Sequence, residues 1–291
     1  MSADEVAELL STRVRTPERV AELADQRTRS VSLVGQTGRL MLVAADHPAR
    51  GALRAGDDAL AMADRWGLLT RLATALARPG VDGVLGTADI LEDLLLMGAL
   101  EGKVVIGSMN RGGLAGTSFE IDDRFTGYSA EGIARRGFQG GKMLLRIDPH
   151  DAATASTLAA CAEAVNALAE RSLMAMVEPF ISHRVAGRVR NDLSTEAVIR
   201  SATVAAGLGW TSAHTWLKLP VVEGMDDVLA ATTLPVLLLG GEVAADQDSQ
   251  FAQWSKVLAS PQVKGMVVGR SLLYPPDGNV AAAVDATVEM M

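Results

Sequence analysis

Short apolar segments alternate with helical patterns along most of this chain. The apolar runs lie at 40–45, 82–86, 103–108, 141–147, 173–178, 214–219, 235–239 and 264–269. Helical periodicity follows each run, at 56–78, 88–99, 129–137, 151–170, 194–208, 225–231, 246–259 and 279–290. Most runs are apolar throughout instead of alternating, which is typical of parallel strands covered on both faces. The pattern therefore predicts eight strand–helix units.

Eight consecutive units of this kind favour an α/β fold, the (β/α)8 TIM barrel, over an open doubly wound sheet. The first run ends in Asp46-His47-Pro48, and no glycine fingerprint of a dinucleotide-binding fold follows it. No linker or shift in composition divides the chain. We therefore predict a single domain over residues 1–291, with the barrel at 38–291.

Two further helical patterns precede the first run, at 3–12 and 17–29. Thr16 is the predicted N-cap of the second helix, with Pro17 at its first position. The two helices form a predicted N-terminal extension over 1–37. We expect this extension to cover the bottom of the barrel.

Composition and charge narrow the class of protein. A hydrophobic content of 48% and a charged content of 21% are ordinary for a globular protein with a large core. The net charge of −8, with no basic cluster, argues against a nucleic-acid partner. No apolar run reaches the roughly 20 residues that cross a bilayer, and the acidic N-terminus is unlike a signal peptide. The single cysteine, Cys161, fits a reducing compartment, so we expect a soluble cytoplasmic protein.

Lysine is rare in this chain, with five lysines among 27 basic residues. One of them, Lys218, ends the apolar run AHTWLKLP. Burial of an ammonium group costs its hydration, so a lysine in an apolar strand requires a reason. Unlike a guanidinium, a lysine amine can lose its proton and form a Schiff base with a carbonyl. The ordinary alternative is a strand-end lysine whose amine reaches solvent.

Other ionisable residues also lie at the ends of the apolar runs. Alternation puts Lys142 and Arg146 on one face of the fourth run, and Glu178 ends the fifth. Because the active site of a TIM barrel lies at the C-terminal ends of its strands, Asp46, Lys142, Glu178 and Lys218 are expected to meet there. A second ammonium lowers the pKa of Lys218, and Glu178 is a candidate to relay protons. Each of these charges alone is also compatible with a structural ion pair.

The last two runs end in glycines, at Gly240-Gly241 and at Gly269-Arg270. Backbone N–H groups approach an anion closely at such positions, and the common phosphate site of TIM barrels follows strands seven and eight. Arg270 supplies a candidate charged clamp for a phosphate. The other predicted substrate contacts are the strand-end residues His47, Asn110 and Arg146.

Two predicted connections are long. Residues 109–128 are rich in glycine and show little periodicity, which is typical of a functional loop or lid. Residues 180–191 form a basic loop that meets an anionic substrate, a neighbouring subunit or only water.

Taken in order, these motifs resemble a known family. D-H in the first run, K in the fourth, E-P in the fifth, W-x-K-x-P in the sixth, G-G in the seventh and G-R in the eighth resemble the class I (Schiff-base) aldolases. These are the aldolases of the deoxyribose-phosphate, fructose-bisphosphate and tagatose-bisphosphate type. The resemblance covers about residues 38–275. Within that group the chain is most similar to actinobacterial aldolase-like (β/α)8 proteins associated with inositol catabolism.

The resemblance implies a role for each matching residue. Lys218 would form the imine, Glu178 would transfer protons, Lys142 would be the accessory lysine, and Asp46 would orient substrate hydroxyls or protons. The residues that would hold a substrate phosphate are Gly240, Gly241, Gly269 and Arg270. Some fructose-bisphosphate members use a tyrosine as acid/base, whereas Tyr128 and Tyr274 lie outside the predicted strands here. This departure favours Glu178 and argues against fructose 1,6-bisphosphate itself.

The sequence thus predicts a class I aldolase that acts on a phosphorylated ketose or keto-acid sugar, with dihydroxyacetone phosphate as a plausible product. It predicts no cofactor and no metal, a small-molecule sugar phosphate as the partner, no nucleic acid or membrane, and a homo-oligomer. Two alternatives stay open. One is a metal-dependent TIM-barrel lyase, although the four histidines show no metal-ligand spacing. The other is a non-catalytic barrel that binds a sugar phosphate.

Overall fold

Eight parallel strands close into a barrel, as predicted. The structure is a computed structural model that describes residues 1–35, 37–110, 113–241, 243 and 246–291. Around the ring the order is β1-β2-β3-β4-β5-β7-β8-β9, with β9 pairing β1. The strands are β1 (Leu40–Ala44), β2 (Gly83–Gly86), β3 (Val104–Ser108), β4 (Gly140–Ile147), β5 (Met174–Val185), β6 (Arg188–Asn191), β7 (Thr215–Pro220), β8 (Val236–Leu239) and β9 (Val263–Val268).

Helices surround this barrel and follow most of its strands. They are α1 (Ala3–Arg15), α2 (Arg19–Gln26), α3 (Arg65–Leu76), α4 (Ala88–Leu96), α5 (Ala130–Arg135), α6 (Ala153–Ala169), α7 (Thr195–Ala206), α8 (Met225–Ala230), α9 (Gln247–Leu258), α10 (Arg270–Leu273) and α11 (Val280–Glu289). The predicted helix at 56–78 begins only at Arg65. Asp64 sets that start, because its carboxylate accepts from the backbone N–H groups of Trp66 and Gly67. No helix in the described ranges has the length and apolarity needed to cross a bilayer.

The N-terminal helices lie elsewhere than expected. Arg13 of α1 forms an ion pair of 2.6 Å with Asp93 of α4, so the helices pack on the outside of the barrel and not across its bottom. The predicted start of the second helix is also wrong. Thr16 is the C-cap of α1, and α2 begins at Arg19.

The segment after α2 reaches the bottom of the barrel instead. Arg27 is buried, and its guanidinium donates to the carbonyls of Leu100, Lys103 and Gly137, which precede β3 and β4. Leu33 packs against the apolar cluster inside the barrel. A single loop therefore closes the end of the barrel that lies opposite the strand C-termini.

The barrel interior is filled by alternate residues of its strands. Leu40, Leu42 and Ala44 of β1 belong to one buried cluster with Met174 and Met176 of β5. The intervening residues of β1 belong to the outer core between the strands and the helices. This alternation confirms the predicted inward face of β5, on which Glu178 lies.

A hairpin replaces part of the predicted loop at 180–191. β5 continues to Val185 and pairs in antiparallel fashion with β6. Ala186 and Gly187 connect the two strands, and both have positive φ, of 48° and 78°. Two such residues are the requirement of a type I′ hairpin turn. The sequence prediction ended the strand too early because Glu178-Pro179 resembles a strand end.

The seam between β1 and β9 generates the first testable prediction. Gly265 pairs with Leu40 and has φ of +135°, and a Cβ built on it would lie 2.0 Å from the Leu40 carbonyl oxygen. Gly265→Ala is therefore expected to lower the free energy of unfolding in urea by about 3 kcal/mol. The control is Gly132→Ala in α5, where the nearest atom lies at 3.4 Å, and it should be neutral or stabilising by up to about 1 kcal/mol. If both substitutions changed the free energy of unfolding by the same amount, the close approach of β9 to β1 would not require a glycine at position 265.

Candidate active site

Four buried ionisable side chains form one ionic chain at the C-terminal mouth of the barrel. Lys142 Nζ lies 2.8 Å from Asp46 Oδ2 and 2.6 Å from Glu178 Oε2. The other oxygen of that carboxylate, Oε1, accepts a hydrogen bond of 2.8 Å from Lys218 Nζ. The structure thus brings together the four predicted residues in the order Asp46, Lys142, Glu178, Lys218. We refer to them as the ionic chain.

Strand register explains why these four side chains meet. Lys142, Glu178 and Lys218 stand on β4, β5 and β7, which are neighbours in the ring and run parallel. Asp46 follows β1 by two residues, on the same face as Ala44. Parallel strands with inward-facing residues at similar height direct those side chains into the same layer. All four members are at most 7% exposed.

The carboxylates of the ionic chain remain charged despite their burial. Burial alone would raise the pKa of Glu178, but Lys142 and Lys218 outweigh it and bring the pKa to about 2. Burial acts on Asp46 in the same direction, and there Lys142, followed by His47, holds the pKa well below its usual range. Both groups are therefore anions at neutral pH.

The two lysines differ in their protonation. Burial lowers the pKa of Lys142, but this amine contacts two carboxylates, which raise its pKa above the ordinary value. Burial also lowers the pKa of Lys218, where the attraction of Glu178 is partly cancelled by repulsion from Lys142, and the pKa stays below the ordinary value. The arrangement therefore keeps Lys142 as a permanent cation and makes Lys218 the amine that is more easily freed.

A cavity of about 560 Å³ opens above the ionic chain. Glu178 and Lys218 line this cavity, whereas Asp46 and Lys142 are not among its lining residues. Asp46 was expected to orient substrate hydroxyls or protons. Its contact with Lys142 favours an indirect role, in which it holds the charge of that lysine.

The predicted phosphate-binding residues lie together along one end of the cavity. Gly240 and Gly241 follow β8, and Gly269 and Arg270 follow β9, and all four line the cavity. Gln250 of α9 also lines this end, and its side-chain amide donates to the Gly240 carbonyl. We refer to this region as the glycine end. Phosphate binding there stays a prediction.

Of the three remaining predicted substrate contacts, two line the cavity and one does not. His47 lines the cavity, and burial followed by the charge of Arg50 lowers its pKa well below the usual value, so it is a neutral imidazole. Arg146 also lines the cavity but is joined to Glu120 by an ion pair of 2.6 Å. Asn110 is 1% exposed and is not among the lining residues.

Asn110 has a structural contact that accounts for its burial. Its side-chain amide donates to the Leu144 carbonyl at 2.7 Å and accepts from the Leu144 N–H at 2.8 Å. This side chain therefore pairs with the edge of β4 instead of reaching the cavity. The amide of Asn110 satisfies backbone groups just where β3 ends and the chain leaves the sheet.

Sequence reasoning missed several residues that line the cavity. Arg50 stands in a 3₁₀ turn after β1, and Glu120 lies in the long loop after β3. Arg190 of β6, which belongs to the predicted basic loop 180–191, also lines the cavity. The residues near Arg50 showed no helical or strand period, so no face could be assigned to it. Of the predicted loop 109–128, Arg111 and Gly112 lie outside the described residues, and Ala115 and Glu120 line the cavity.

Neither tyrosine of the chain lies at the cavity. Tyr128 precedes α5 and Tyr274 follows α10, and neither is among the lining residues. Within the described ranges, no three or more histidine, cysteine, aspartate or glutamate side chains are grouped to hold a metal ion. The ionisable groups that the structure offers to a ligand at the floor of the cavity are thus Lys218 and Glu178.

Comparison with known proteins places this chain in a family. A family model described as Cgl0159-like matches residues 38–288. The crystal structure of Cgl0159 from Corynebacterium glutamicum is similar over 100% of this chain and 97% of that one, with 54% sequence identity and a TM-score of 0.97. A search of curated proteins gave no match.

More distant solved structures are fructose-bisphosphate aldolases. One is an archaeal fructose-1,6-bisphosphate aldolase with its catalytic lysine bound to the carbinolamine intermediate of the substrate. It has 18% identity and a TM-score of 0.65, and the match covers 93% of this chain and 98% of that one. The fructose-bisphosphate aldolase from Slackia heliotrinireducens has 17% identity and a TM-score of 0.61, with 99% and 92% covered. At such identity the likeness shows the fold, an aldolase-like TIM barrel.

The ionic chain predicts a large effect of removing its central cation. Lys142→Met leaves Asp46 buried without its partner and leaves Glu178 with one lysine only. We expect the free energy of unfolding in urea at pH 7 to fall by about 3–5 kcal/mol. Lys256→Met, at an exposed position on α9, is the matched control and should change it by less than about 0.5 kcal/mol. A similar small change for Lys142→Met would contradict the charge assignment.

The low pKa of Glu178 predicts a loss of stability in acid. Its pKa is about 2 in the folded chain against an ordinary value of 4.5, so its contribution to stability is fully present above pH 4.5 and is lost as the pH falls towards 2. The free energy of unfolding of Glu178→Gln should therefore depend less on pH in this window, with a slope smaller by up to about 1.4 kcal/mol per pH unit. Urea titrations at several pH values measure this slope, and parallel curves for both proteins would exclude a depressed pKa.

Proposed function

This chain belongs to the Cgl0159-like family, and we propose that it is a class I aldolase that forms or cleaves a carbon–carbon bond through an imine on Lys218. The substrate is a phosphorylated ketose or keto-acid sugar, with dihydroxyacetone phosphate as the expected product. The observation that carries the proposal is the hydrogen bond from the buried Lys218 to Glu178, at the floor of a cavity and beside a second, permanently charged lysine. The aldolase-like fold supports the proposal.

Imine formation uses the protons already present in the ionic chain. The Lys218 ammonium passes one proton to Glu178 Oε1 across their 2.8 Å hydrogen bond, and the free amine then adds to the substrate carbonyl carbon. Glu178 returns that proton to the carbonyl oxygen. A second proton then moves from the nitrogen to the same oxygen, which leaves as water, and one proton stays on the iminium nitrogen. The three protons of the ammonium are thereby accounted for.

Carbon–carbon cleavage then uses the iminium as an electron sink. The bond between the α carbon and the β carbon of the iminium breaks, and its electron pair moves toward the nitrogen to give an enamine. The hydroxyl on the β carbon passes its proton to the Glu178 carboxylate as the carbonyl of the departing aldehyde forms. Lys142 keeps its positive charge below the reacting atoms while Glu178 exchanges protons, so charge that develops there meets a preorganised cation.

The phosphate of the substrate is assigned to the glycine end. Backbone N–H groups after β8 and β9 and the guanidinium of Arg270 are suited to a dianion. Lys218 lies on β7, beside β8 in the ring, so its amine faces the carbons next to a phosphate held there. Assembly as a homo-oligomer, a cytoplasmic location and a role in inositol catabolism stay predictions of the sequence.

Covalent trapping tests the proposed function. Incubation with dihydroxyacetone phosphate and borohydride should add one reduced adduct, located on Lys218 by peptide mass spectrometry. Lys218→Met should lose both the adduct and turnover, whereas Lys264→Met, on the exterior face of β9, should retain both. Labelling elsewhere, or turnover by Lys218→Met, would refute the aldolase. Loss of activity in EDTA without trapping would favour the metal-dependent lyase, and sugar-phosphate binding with neither would favour a binding protein.

A further inference from the structure

Helix α1 presents a line of apolar side chains to solvent. Of its 13 residues, all of which the structure describes, Leu9 alone is buried, and Arg13 on the same face pairs with α4. A second line of residues runs beside that face at intervals of four, three and four residues. We call it the α1 stripe, and its members are the exposed residues Ala3, Ala7, Leu10 and Val14.

The α1 stripe has the spacing of a seam between two helices. Leu10 is 51% exposed and Val14 is 82% exposed, and they lie one turn apart. Alternating intervals of three and four residues are the pattern by which one helix packs its side chains into another. A helix of this length is marginal in water unless an apolar face is covered. The stripe therefore indicates another helix as its occupant.

The α1 stripe is sterically complementary to itself when two copies run antiparallel. Aligned at their centres, Ala7 of one copy faces Leu10 of the other, and Ala3 faces Val14. A small side chain then meets a large one in each of the four layers, which fills the seam evenly. In a parallel pair Leu10 would face Leu10 and Ala3 would face Ala3, which crowds one end and leaves a gap at the other.

The charges of α1 favour the same antiparallel arrangement. Its first turn carries Asp4 and Glu5, and its last turn carries Arg13 and Arg15. On the solvent border of the stripe the exposed Asp4 of one copy comes beside the exposed Arg15 of the other, once at each end. The two helix dipoles also oppose each other. A partner of one charge sign would be repelled by one half of α1, whereas an antiparallel copy matches both halves.

We propose that α1 docks on α1 of a second copy of this chain, antiparallel about a two-fold axis, and that the α1 stripe forms this contact. Such an interface is isologous, because the same surface serves both copies. Two helices of this length bury less than the about 1,200–2,000 Å² of a standard interface, so we expect a dissociation constant on the order of 10 μM. None of the four stripe residues, all of them described, lines the cavity, so turnover should not depend on the contact.

Sedimentation equilibrium over a concentration series that brackets this value tests the contact. The wild-type protein is expected to reach twice the mass of Leu10→Glu, in which two charges enter the seam and weaken association at least about 100-fold. Leu60→Glu is the matched control, because Leu60 is 63% exposed outside α1, and it should associate like the wild type. A wild-type protein that stays monomeric, or equal masses for wild type and Leu10→Glu, overturns the inference and leaves the stripe to a different protein.

Mixing of single variants tests the antiparallel geometry. Asp4→Lys and Arg15→Glu should each weaken association about 10-fold, and an equimolar mixture should restore it, because the mixed pair regains both ion pairs. Under mild oxidation Ala3→Cys and Val14→Cys should form a disulfide-linked dimer when mixed but not separately, and the buried Cys161 gives no background. Cross-linking of each cysteine variant with itself, or a charge mixture that stays weak, overturns the proposed arrangement.

Discussion

The shared contact of Glu178 with two lysines is the interaction on which this site depends. One carboxylate oxygen binds Lys142 and the other binds Lys218, and Asp46 binds only Lys142. Lys142 therefore contacts two carboxylates, whereas Lys218 contacts one carboxylate and shares it with Lys142. Because burial penalises both ammonium groups, this unequal sharing decides which amine gives up its proton. A carboxylate that contacted Lys218 alone would raise the pKa of Lys218 and keep its amine protonated.

The barrel makes this sharing possible by fixing the heights of four strand ends. Burial of four charges costs several kcal/mol each unless their partners are held in good geometry. Strands closed into a ring provide that geometry, since no edge is free to shift in register. The interior below the ionic chain is apolar and filled, which keeps water from the far side of the site. A stable fold requires every buried charge of this layer to be paired, whereas the proposed chemistry requires one amine of the same layer to lose its proton.

Periodicity in the sequence was sufficient for the barrel and for the ionic chain. The eight predicted strands start and end near those in the structure, except that β5 is longer, and the inward face of β5 follows from simple alternation. The members of the ionic chain stood out because polar residues are rare in such runs. Asn110 stood out for the same reason, yet it pairs with backbone, because composition does not distinguish a substrate contact from a hydrogen bond within the sheet.

Features that depend on irregular segments or on distant pairing were not predictable. The β5–β6 hairpin, the outer position of α1 and the 3₁₀ turn of Arg50 have no periodic signal. Arg50 and Glu120 are separated by 70 residues of sequence, and both line the cavity because the loops after β1 and β3 cover it. Residues that select a substrate belong to such loops, whereas residues that perform chemistry belong to strands whose pattern is regular.

The most direct measurement of the central claim is a nitrogen NMR titration of the lysine side chains, which is practicable because the chain has few of them. Spectra of protein labelled at the lysine ε-nitrogen, assigned with single substitutions, give a pKa for each amine. The account predicts that the amine of Lys218 titrates below the ordinary pKa of a lysine side chain, and that the amine of Lys142 titrates above it. A pKa of Lys218 at or above the ordinary lysine value would contradict the claim that this amine is the one more easily freed.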